Sequence, residues 1–85
     1  MQNNSALFLW ISGFLKNDAE DDALKYDFIV KPDHENAVLD LLGWPSLDGA
    51  PDGEWLLSDE KIKKMATAIG EQLPVELDIF ISVRA

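Results

Sequence analysis

Hydrophobic residues crowd the start of the chain. Ala6 to Leu15 is a ten-residue run of Leu, Phe, Trp and Ile, broken only by Ser12 and Gly13. A run of that kind predicts a first strand buried on much of both faces. Lys16 to Ala23 is polar and acidic and predicts a turn. Leu24 to Val30 then alternates, with Leu24, Tyr26, Phe28 and Val30 on one side and Lys25 and Asp27 on the other. That is the period of a second strand, a hairpin partner of the first across an eight-residue loop, ended by Lys31-Pro32.

The spacing changes after residue 32. Asp33 is placed to cap a helix whose apolar residues are Ala37, Val38, Leu41 and Leu42, with Gly43 after its end and Pro45 blocking continuation. Residues 44–53 hold two Pro and two Gly and read as a loop. Glu54 to Leu57 reads as a short third strand. Ser58 then opens a second helix, with Asp59 and Glu60 in its first turn, where the helix dipole favours acids. Ile62, Met65, Ala66, Ile69 and Leu73 share one face of it, and Pro74 stops it. Val75, Leu77, Ile79, Ile81 and Val83 alternate with Glu76, Asp78 and Ser82 in a half-buried last strand. The predicted order is ββα(β)αβ. It describes one small α+β domain over residues 1–85, an antiparallel sheet of three to four strands with two helices.

Composition narrows the setting. The chain is 47% hydrophobic, enough to fill a small core despite its charge. It has no cysteine, so a disulfide framework and thiolate metal sites are excluded. The start, Met1-Gln2-Asn3-Asn4-Ser5, lacks the basic region of a signal peptide, and the first apolar run is too short to span a bilayer. A cytoplasmic protein is expected.

Charge then changes the picture. Residues 16–60 carry thirteen acids opposed only by Lys16, Lys25 and Lys31, which makes that stretch about -10 against -9 for the whole chain. Solubility needs far less, and self-repulsion costs stability. Such a block points to a basic protein partner reached by electrostatic steering. It argues against nucleic acid and anionic membranes as ligands, since phosphates repel it.

Nothing in the sequence assembles a reaction centre. His34, the single histidine, sits between Asp33 and Glu35 without a nucleophile or orienting group at a known spacing, and reads as a solvated surface residue. Asp18-Ala19-Glu20-Asp21-Asp22 lacks the central Gly and the flanking helices of a calcium loop. Asp48-Gly49-Ala50-Pro51-Asp52-Gly53 has no following Lys, and its acids repel phosphate. The chain is therefore expected to be no enzyme and to use neither metal nor cofactor. Of the three tryptophans, Trp10 reads as core and Trp44 as packed under the loop. Trp55, beside Glu54 at a loop–strand junction, fits an interface anchor as well as a core residue.

The order of landmarks resembles the immunity proteins of cloacin and of the ribonuclease-type colicins. The similarity runs over nearly the whole chain. It is carried by Leu7-Phe8-Leu9-Trp10-Ile11 leading to Phe14, an acidic turn before Tyr26-Asp27-Phe28, and a helix ending Leu42-Gly43-Trp44-Pro45. A loop with Asp48 and Gly53 before Trp55-Leu56 and the closing Phe80-Ile81-Ser82-Val83 complete it. This chain differs in placing Phe8 and Trp10 where the family's first strand has acids, in the lysines 61, 63 and 64 of a second helix that looks longer, and in a tail without the family's closing acidic and aromatic residues. The resemblance implies an inhibitor, without catalytic residues, that binds the basic nuclease domain of a bacteriocin toxin in the producing cell. The partner-binding residues it implies are Phe14, Asp27, Glu54 and Trp55, with Glu20, Asp21 and Asp22 in the acidic turn. Free, such a protein is expected to be a monomer or weak homodimer.

Two other classes of function fit parts of the pattern. A small homo-oligomeric scaffold would pair or pack its apolar first strand across a two-fold axis. A nucleic-acid mimic would space its acids like phosphates along an elongated surface.

Overall fold

A computed structural model describes residues 7–16 and 23–85. Four strands and two helices follow one another as β1 (Phe8–Leu15), β2 (Tyr26–Ile29), α1 (Pro32–Leu42), β3 (Trp55–Leu56), α2 (Asp59–Ile69) and β4 (Leu77–Arg84). The strands form one antiparallel sheet in the order β2-β1-β4-β3. The small α+β domain read from the pattern is what the chain forms, and its third strand is real.

Residue parity sorts the sheet into two faces. Leu9, Ile11 and Gly13 of β1 stand opposite Val83, Ile81 and Ile79 of β4. Leu9, Ile11, Ile79 and Ile81 are fully buried and pack with Val30, Val38, Leu39, Ile62, Met65 and Ile69. Both helices therefore cover this one face. Burial of that set supplies the main stabilisation, roughly 1.5–3 kcal/mol for each large side chain before chain entropy is charged.

Several boundaries shift for identifiable reasons. Asp33 is not the cap of α1. Lys31 takes the extended N-cap backbone, no side chain bonds there, and Pro32 opens the helix, where its missing N–H costs nothing. The buried positions of α1 are Val38 and Leu39, with Leu41 and Leu42 half-buried and Ala37 exposed. Ser58 caps α2 as expected, its Oγ accepting from the Lys61 N–H at 3.2 Å. The helix ends at Ile69 rather than at Pro74. Gly70 adopts φ 66°, a left-handed conformation, and the Glu71 N–H closes the end on the Ala66 carbonyl. Leu73 is buried beyond the helix, not on it. Leu24 and Val75 lie outside the strands and are exposed.

The first strand is interior to the sheet, hydrogen-bonded to β2 and to β4. Edge pairing through it is therefore closed, and among the described residues the outer strands are β2 and β3. Among the described residues, no helix is long and apolar enough to cross a membrane.

Candidate functional site

The second face of the sheet carries no helix among the described residues, yet it is not polar. The alternate residues of β1 are Phe8, Trp10, Ser12 and Phe14, and they stand opposite Arg84, Ser82, Phe80 and Asp78 of β4. Asp27 and Ile29 of β2 flank Ser12 and Trp10, and Leu56 of β3 flanks Phe80. Phe8, Trp10, Phe14 and Phe80 are half-buried, while Ile29 and Leu56 are 55% and 61% exposed. Both serines are buried beneath these larger side chains. Phe14 and Phe80 meet edge to face, with ring centroids 5.9 Å apart. That geometry suits the quadrupoles of the two rings.

A line of polar contacts crosses the aromatic surface and ties three strands together. The Trp10 indole Nε1–H donates to Asp27 Oδ2 at 3.2 Å. The Arg84 guanidinium lies over the same indole, 4.7 Å from the ring centroid. Its Nη2 donates to Glu54 Oε2 at 2.6 Å and its Nε to Ser82 Oγ at 3.0 Å. Arg84 is the only basic residue within the four strands, and it is held on three sides. Its charge is matched by Glu54. Asp27 and Asp78 keep the face acidic.

The residues read from sequence divide between the faces. Phe14 and Asp27 belong to the helix-free face, and Glu54 reaches it through Arg84. Trp55 stands opposite Ile81 and so points to the helix-covered side, 44% exposed at the sheet edge. There it lines a cleft with Leu42, Trp44, Leu57 and Lys61. Glu20, Asp21 and Asp22 lie outside the described residues. Trp10 is not part of the core cluster; it forms the centre of the opposite face. Sequence reasoning missed Trp10, Phe80, Leu56 and Arg84. The available signal was that the even positions 8, 10 and 14 are all aromatic, whereas the odd ones are aliphatic or Gly.

This arrangement can bind and position a protein surface. Exposed aromatic area with fixed polar groups is the composition that protein interfaces favour at their centres. Among the described residues no three His, Asp or Glu side chains converge as a metal site would require. Comparison of the chain with protein-family models, with curated proteins and with solved structures finds no match.

Proposed function

We propose that this protein is an acidic immunity protein, an inhibitor that binds and neutralises the basic nuclease domain of a bacteriocin-type toxin. It acts in the cytoplasm of the producing cell and performs no reaction of its own. The observation that supports this reading is the helix-free sheet face, aromatic at its centre and acidic at its rim, on a chain of net charge -9. A basic nuclease domain is drawn in by the long-range field. Trp10, Phe14 and Phe80 then supply buried contact, while Asp27 and Asp78 pair with cations of the partner. The bound inhibitor covers the approach to the active site, and its charge repels the phosphates of the substrate.

The test uses the C-terminal nuclease domain encoded next to this chain's own reading frame. Co-expression of the two proteins should protect the host, and the purified chain should suppress cleavage at equimolar ratio. A neighbouring frame without a basic nuclease domain, or undiminished cleavage at equimolar ratio, would overturn the proposal.

A further inference from the structure

A cleft of about 430 Å³ opens where the loop from α2 to β4 passes the start of β2. Gly70 ends α2, Leu73 anchors the loop in the core, and Val75 and Glu76 lie exposed before β4 begins. Tyr26 stands opposite Gly13 of β1, on the helix-covered side of the sheet. The lining is apolar in Leu73, Pro74 and Val75, aromatic in Tyr26, and polar in Gln72 and Glu76. Two of these groups lack what folding ordinarily supplies. Val75 is 65% exposed, more than any other large hydrophobic residue described. Tyr26 Oη is buried without a hydrogen-bond partner, an unfavourable state unless a ligand brings one.

Charge selects the occupant. Glu76 lines the cleft, and the charges of Glu71 and Asp27 both reach the Tyr26 phenol. Glu71 and Glu76 form no ion pair among the described residues. A cation is therefore favoured, and the apolar lining suits one carried on a long aliphatic stem. Arginine meets both conditions. Its planar head also stacks on a phenol ring and brings several donors, enough for Glu76, Gln72 and the Tyr26 hydroxyl together.

We infer that this cleft seats an arginine side chain of the basic partner, with its stem against Pro74 and Val75 and its guanidinium at Tyr26 and Glu76. The inference rests on the immunity reading for its partner, and the position is continuous with the face proposed there. Tyr26 adjoins Asp27 on the outer strand β2, and the two serve opposite sides of the sheet. A partner that lies on the helix-free face and wraps this edge reaches the cleft.

The first test needs no toxin. Nα-acetyl-arginine amide is titrated into the chain at fixed ionic strength and followed by nuclear magnetic resonance. The amides of Val75 and Glu76 and the ring of Tyr26 should shift saturably, with half-saturation on the order of 10 mM, and the uncharged citrulline analogue should not shift them. Glu76→Gln should weaken the probe about threefold. Asp40→Asn, the same loss of charge at an exposed position of α1, should leave it unchanged. In the second test, the nuclease domain encoded beside this chain should dissociate about tenfold faster from Glu76→Gln and at the parent rate from Asp40→Asn. Shifts that citrulline reproduces, equal weakening by the two variants, or an unchanged dissociation rate in Glu76→Gln would each defeat the cleft as the arginine site. A chain that leaves the nuclease active but still binds the probe in this way supports the cleft and defeats the immunity reading alone.

Discussion

Glu54 and Trp55 are adjacent in the chain and serve opposite faces of the sheet. The Glu54 carboxylate accepts from Arg84 on the helix-free side, while Trp55 stands opposite the buried Ile81 on the other. A pair that reads as one acidic-aromatic anchor is therefore split by the pleat of the strand.

Trp55→Ala separates the two sides. The indole is 44% exposed, so its removal leaves less of a cavity than a core truncation. A loss of about 1–2 kcal/mol in stability is expected, against roughly 3–5 for a buried aromatic. Affinity for the toxin domain, measured by calorimetry on the same variant, should change less than about tenfold, since Trp55 does not lie on the acidic face. A larger loss of affinity would return Trp55 to the interface.

Trp10→Ala should behave in the opposite way. The indole sits at the centre of the helix-free face, bonded to Asp27 and stacked under Arg84. Central aromatics of this kind typically carry about 2–4 kcal/mol of binding. Dissociation should quicken correspondingly, while association, which follows long-range charge, stays near the original rate. Asp27→Asn keeps the bond from the indole and removes one charge, so it should cost less. An unchanged dissociation rate in Trp10→Ala would remove this face from the proposal.

Long-range periodicity was legible in the sequence, and local endings were less so. Ile62, Met65 and Ile69 recur at helical spacing, and all three are buried in α2. Ser58 was readable as a cap because its hydroxyl chemistry is local. The end of α2 was misread because Leu73 continues the apolar spacing, whereas Gly70 in a left-handed conformation ends the helix first. The candidate face was harder to see. An unbroken apolar run in β1 is consistent with burial on both sides, and sequence alone does not say that both helices pack on one of them. Arg84 escaped notice because its partners, Trp10 and Glu54, are distant in the chain and meet only through the strand order.

The acidic block predicts a kinetic signature. Replacing Glu20, Asp21 and Asp22 together by Gln and Asn removes three of the thirteen acids in residues 16–60. The steering field is screened beyond about 10 Å at 0.1 M salt. Association with the toxin domain should therefore be fast at low salt, fall steeply as salt rises, and be slower in the triple variant at low salt only. Stopped-flow rates that ignore both salt and the triple change would show that these acids do not guide the encounter.

Tyr26 gives a prediction for alkaline solution. Its side chain packs with Leu77 and Ile79 over Gly13, where an added Cβ would come within 3.0 Å of Leu77 Cδ1 and 3.2 Å of Ile79 Cδ1 and Tyr26 Cβ. The phenol Oη is buried with no hydrogen-bond partner among the described residues. Burial, followed by the nearby charges of Glu71 and Asp27, raises its pKa above the ordinary 10.0. The folded state thus favours the neutral phenol, and the unfolded chain gives up its proton first. Stability from this group is complete below pH 10 and is lost as pH rises through the raised value of the folded state. Tyr26→Phe removes both the titrating group and the unpaired hydroxyl. At pH 7 the variant should be as stable as the parent or more stable by up to about 1 kcal/mol, because an unsatisfied buried hydroxyl no longer has to be desolvated. Above pH 10 it should lose less stability than the parent. Urea denaturation at both pH values measures the two effects together. A variant clearly weaker at pH 7 would mean that the hydroxyl has a partner, and an undiminished alkaline loss would mean that another group titrates.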